Sequence, residues 1–129
     1  MPGRYVIDKK LRLIISVGEG VLTFTEIKSH QDQLLADPAF DPKFDQLIDV
    51  SMVTNLTISV EEAKLMARRA VLSADSRRAV IASEKSVFGM YRLMQAYHEG
   101  TTGHSRIGIF YDRDEALKWL GINEDSGLF

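Results

Sequence analysis

The chain contains no cysteine. That single absence excludes disulfides, thiolate catalysis and zinc–thiolate sites. A strong excess of one charge is missing too: the formal net charge is -2 at pH 7. So weak a field does not draw a protein to nucleic acid or to an anionic membrane surface. No apolar run approaches the roughly 18 residues that a membrane span requires. The opening stretch, "MPGRYVIDKK", has no apolar segment of signal-peptide type, and a cytoplasmic protein is expected. Internal repeats and low-complexity segments are also lacking.

What remains is ordinary for a globular protein: 129 residues, 45% hydrophobic and 26% charged. A single domain over 1–129 is expected, ordered over about 4–122. Residues 123–129 read as a loose polar tail in which Leu128 and Phe129 are the groups able to dock.

Alternation and capping patterns divide the chain. "RYVID" reads as a first strand with Tyr5 and Ile7 on one face. In "LRLIISVGEG", Leu11, Leu13, Ile15 and Val17 share one face and Arg12 and Ser16 the other, the mark of a strand with one face buried. The two strands lie close enough to form an antiparallel hairpin, and Gly18 and Gly20 punctuate its end. Thr23 followed by Glu26 fits a capping box, and Asp37-Pro38 stops that helix. Phe40 and Phe44 anchor the next connection. "QLIDV" has strand length, and a polar loop then leads to a second capping box at Ser59 and Glu62. Val60, Ala63, Met66, Ala67, Ala70 and Val71 form a helical stripe behind it. "RRAVIAS" is apolar enough at its centre to be covered on both faces, as in a parallel sheet. A helix from about Lys85 to Glu99 closes at Gly100, "SRIGIFYD" is the last strand, and Asp112 caps "EALKWL", which Gly121 ends. The order β-β-α-β-α-β-α-β-α predicts an α/β sheet, mixed but mostly parallel, with helices on its faces.

The hairpin, the helix ending in "DPAFDP", the strand "FDQLIDVS", the strand "SRRAVIAS" and the closing "DRDEALKWLG" together resemble the SpoIIAA-like proteins. These are small bacterial relatives of the STAS domain (sulphate transporter and anti-sigma-factor antagonist), and they share a fold with SEC14-type lipid-binding domains. The resemblance spans about residues 4 to 122. It implies a non-enzymatic regulatory or protein-interaction module, and through the SEC14-type relationship a small carrier or sensor of an apolar, lipid-like ligand. STAS antagonists carry a phosphorylatable serine in a turn before a helix. The matching stretch here, "IDVSMVTNLTIS", has no such turn and no glycine. Ser51 therefore reads as the end of a strand and Ser59 as a helix cap.

The other candidates for chemistry are sparse. Asp49, Ser51, Ser59 and Asp112 make a strand-end loop set, at the sheet edge where ligands of open α/β sheets bind. With Glu84, two of those carboxylates converging would make an acid–base pair, but Asp112 and Glu84 are equally explained as helix-start residues. His98 and His104 flank "EGTTG" without a third ligand at metal-site spacing, and His30 falls on the exposed side of its helix. Arg68-Arg69 and Arg77-Arg78 read as solvated pairs. No phosphate-loop pattern occurs. No metal and no cofactor is expected. The richest segment is "SVFGMYRLMQAYHEG", apolar or aromatic nearly all round. Phe88, Met90, Tyr91, Met94 and Tyr97 are its candidate interface or apolar-pocket residues, and a helix this apolar needs a second neighbour. Burial in the monomer, a homodimer or other protein partner, and a ligand pocket all satisfy that need.

Overall fold

The computed structural model describes residues 3–69, 72–73, 75–102 and 106–122. The elements are β1 (Gly3–Asp8), β2 (Leu13–Thr23), α1 (Phe24–Ala36), β3 (Asp45–Thr57), α2 (Val60–Arg68), β4 (Arg78–Ala82), α3 (Lys85–Thr102), β5 (Ile107–Phe110) and α4 (Arg113–Leu120). They follow the predicted order. The five strands form one sheet in the order β1-β2-β3-β4-β5, with β1 antiparallel to β2 and every other pair parallel.

The predicted caps hold. Thr23 accepts from the Glu26 amide while the Glu26 carboxylate takes the Thr23 amide, and Ser59 and Glu62 repeat the arrangement on α2. Asp112 caps α4, and Gly121 ends it in the left-handed conformation (φ 76°) that glycine adopts without cost. Phe44 is buried and Phe40 packs beside it, as expected of the anchors.

Sheet order fixes where the helices lie. Each right-handed parallel crossover steps one strand in the same direction, so α1, α2 and α3 fall on one face. Leu22, Val50, Val53, Ala63, Met66, Val80, Val87 and Met94 make the core there. Among the described residues the other face is covered only by the eight-residue α4, whose Ala116, Leu117 and Leu120 meet Leu13, Leu47, Ala79 and Ile81. Fully buried side chains such as Leu47 and Val80 each contribute about 1.5–3 kcal/mol.

Five local expectations are corrected. Gly18 and Gly20 do not end β2, and "QLIDV" is not the whole of β3. Both strands continue, paired as far as Thr23 and Thr57, with register shifts after Val17 and after Gly20. The hydrophobic Val53 and Leu56 drive the extension, because they bury against α2 and α3. Ser51 is consequently inside a strand, not at its end. Leu13 to Ser16 are buried on both faces, since α1 covers the face assigned to solvent. Finally, α3 runs through Gly100 to Thr102.

Candidate functional site

Register brings the site together. Ile14, Gln46, Arg78 and Ile107 lie side by side across β2 to β5, all on the face toward α1 and α3. The next row on that face is Ser16, Ile48, Val80 and Ile109. Above these rows the helices do not close. A cavity of about 420 Å³ remains between the sheet, α1, α2 and α3. Ligand pockets run from about 300 to 1,000 Å³, so this is a small one. Its apolar wall is Leu22, Ile48, Val50, Val80, Met66 and Met94.

The hollow has a cause in the sequence of α1. This helix buries only Leu34. Thr25, Ser29 and His30 line the cavity where a close-packed helix would place large apolar side chains. Thr25 and Ser29 are also exposed, so the cavity reaches solvent alongside α1.

Polar groups are gathered at one end of the floor, where β3 and β4 begin. Gln46 Nε2 donates to Ser16 Oγ at 2.9 Å, and both residues are buried. Ser16 Oγ lies 2.9 Å from His30 Nε2, and the edge of Tyr5 meets the His30 ring at 5.5 Å. Ser16 Oγ thus joins Gln46 and His30, and which of Ser16 and His30 donates to the other follows the imidazole tautomer. Burial lowers the His30 pKa below its ordinary 6.5, so the ring is neutral near pH 7. His30 is thus not on a solvated face, contrary to expectation: the helix phase that exposes Lys28 and Asp32 turns it toward the sheet.

Arg78 stands beside Gln46 in the same row. Desolvation lowers its pKa, and no hydrogen bond or ion pair engages its guanidinium among the described residues. Tyr91 of α3 also lines the cavity, and burial pushes its phenol up to about 12.

The α3 candidates divide. Tyr91 and Met94 face the cavity. Phe88 stacks on Tyr111 with centroids 4.0 Å apart. Met90 packs against the core, and Tyr97 lies under the cations of Lys64 and Arg68 on α2. The strand-end set is engaged locally. Asp49 Oδ1 accepts from the Ser51 amide at 3.0 Å and from Ser51 Oγ at 2.6 Å, while Ser59 and Asp112 are occupied as caps.

The arginine pairs are not simply solvated. Arg69 donates to Gln31 and Asp32 of α1, Arg68 sits on Tyr97, and Arg77 donates to the carbonyls of Trp119 and Leu120 at the end of α4. In each case a partner far along the chain supplies the contact. No group of three metal-ligating side chains occurs among the described residues, and His104, Ala70, Val71, Leu128 and Phe129 lie outside them. No described helix is long and apolar enough to cross a membrane.

Ser16, His30, Gln46 and Arg78 were not legible as a site. One signal was available: three strands destined for a covered sheet each carry a polar residue in the phase facing the helices.

The element order, the sequential sheet and the hairpin at its edge can be set beside solved structures. A protein of the DUF3478 family from Shewanella loihica PV-4, described as uncharacterized and with a SpoIIAA-like fold, superposes with a TM-score of 0.55. The match covers 92% of this chain and 93% of that one at 17% identity. The fold is SpoIIAA-like. At that identity the SpoIIAA-like likeness extends to architecture alone. No protein-family model matches the chain, and no curated protein does.

Proposed function

We propose that this SpoIIAA-like domain is a non-enzymatic carrier or sensor that holds one small apolar ligand between its sheet and helices α1 and α3. The carrying observation is the cavity of about 420 Å³ beneath Tyr91 and Met94, walled mainly by aliphatic side chains and methionine. Burying apolar surface drives such binding, and methionine adapts to the shape of a flexible chain. Occupancy would fill the space that α1 leaves open and so alter how α1 sits on the sheet, which suits a regulatory module.

The test is titration with N-phenyl-1-naphthylamine, a neutral apolar fluorophore, alongside native mass spectrometry of the protein as purified. Saturable enhancement at one site is expected. It should be lost in Ala67→Leu, which fills the cavity from α2. Absence of any saturable site, together with a bare mass, would refute the reading.

A second reading, association through α3, has its own support. Gly89, Leu93 and Ala96 form an exposed stripe on that helix, and nothing lies within 4 Å of a Cβ built on Gly89. A concentration-dependent dimer in light scattering, abolished by Leu93→Glu, would establish it.

A further inference from the structure

We infer that the ligand is an amphiphile with a single acyl-type chain and an anionic head, the head held by Arg78 and the chain running along Ile48, Val50 and Val80 toward Leu22. This rests on the cavity being a ligand site, as proposed above, and adds the class of molecule.

Arg78 carries the argument. It is the first residue of β4, and strand alternation puts Ala79 and Ile81 against α4 and Arg78, Val80 and Ala82 on the opposite face. Its guanidinium therefore belongs to the cavity side. Protein encloses the group closely enough to depress its pKa, yet the residue keeps some accessible surface. The two together direct that surface into the cavity it lines. A guanidinium is always charged and carries five donors. Leaving it enclosed without a countercharge is costly, whereas an anion would satisfy it. Among the described residues no carboxylate does so. Glu26 is the only carboxylate among the described lining residues, and its Oε1 is held by the amide and hydroxyl of Thr23 in the capping box.

The neighbours complete a head-group site. Gln46 is adjacent in the row, with one Nε2 proton donated to Ser16. Tyr91 presents a phenol that stays neutral and so can donate to an anion. On β3 and β4 the floor turns apolar farther along: Ile48, Val50 and Val80 follow Gln46 and Arg78 on the same face, with Ser16 of β2 beside Ile48 as the last polar group of these rows. Polarity at one end and hydrocarbon beyond it match the two halves of an amphiphile. The volume, at the low end for pockets, suits one chain in preference to two.

The experiment is displacement of N-phenyl-1-naphthylamine from the full chain at pH 8 by dodecanoate, dodecan-1-ol and dodecyl phosphate, with acetate and inorganic phosphate as headgroup-only competitors. Dodecanoate or dodecyl phosphate should compete at least about tenfold more strongly than the alcohol, as a charge-assisted contact implies. Which of the two is stronger identifies the head as carboxylate or phosphate. Arg78→Met should erase the preference while the alcohol still competes, and Arg78→Lys should retain part of it. Should Arg78→Met fail to fold, the wild-type comparison of acid against alcohol decides alone. Equal competition by acid and alcohol overturns the anionic head and leaves the apolar site standing. Displacement by acetate or inorganic phosphate alone overturns the amphiphile. No saturable probe site at all removes the cavity reading beneath both.

Discussion

Ser16 and Gln46, 30 positions apart, meet through a 2.9 Å hydrogen bond on the buried floor of the sheet. Both are almost wholly covered, so neither can exchange its partner for bulk water. Ser16→Ala leaves the Gln46 amide without that acceptor and His30 without its hydroxyl. The expected loss is about 1–3 kcal/mol, the cost of an unsatisfied buried polar group. Urea unfolding measures it, and a midpoint equal to wild type would show that the polar floor is already wet.

The same cluster makes stability depend on pH. Burial depresses the His30 pKa in the folded state below 6.5. On acidification the unfolded chain therefore takes up a proton first. The stability contributed by neutral His30 is complete above about 6.5 and falls as pH drops from there toward the folded value. Asp32 and Asp37 are likewise shifted down, below 3.8, and so act in the same sense in a lower window. Thermal midpoints should thus decline between pH 7 and pH 5 in the wild type and stay level in His30→Gln. Parallel profiles for the two proteins would assign the decline to other groups.

Arg77 clasps α4, the helix on the back face. Its guanidinium donates to the carbonyls of Trp119 at 2.8 Å and Leu120 at 3.0 Å, and lies 5.7 Å from the Trp119 ring. The last carbonyls of a helix have no partner of their own, and a cation there also suits the helix dipole. Arg77→Met should cost about 1–2 kcal/mol, discounted for partial exposure. Trp119 is the single tryptophan, so its emission reports on α4 directly. An unshifted spectrum with unchanged unfolding would mean that Leu117 and Leu120 hold the helix unaided.

Ser51 is placed poorly for a phosphoryl switch. Its hydroxyl donates to Asp49 Oδ1 at 2.6 Å within β3. A phosphate there would sit against a carboxylate, and like-charge repulsion would oppose it. Incubation with candidate serine kinases followed by peptide mapping should find no stoichiometric modification at Ser51. Robust labelling of that residue would restore the switch.

Much of the fold was written locally. The capping boxes at Thr23 and Ser59 act over three residues, and the αL stop at Gly121 over one turn, so each was readable from its own neighbours. The strand extensions were not. Residues 51–57 are polar and β-branched, and only their pairing with β2 and the burial of Val53 and Leu56 make them strand. Gly100 likewise carries a stop signal that the surrounding helix overrides.

The sequence by itself determined the order of elements, the α/β class and the apolar excess of α3, because periodicity and capping are short-range. Tertiary structure decided where that excess is used. Three crossovers of one hand put α1, α2 and α3 on a single face, and α1 carries too few large apolar side chains to fill its share of it. The cavity is a failure of packing between segments tens of residues apart, and no local pattern encodes such a gap. The position of Arg78 inside it follows from register, which pairs Arg78 with Gln46 and Ile107 only once the strands have assembled.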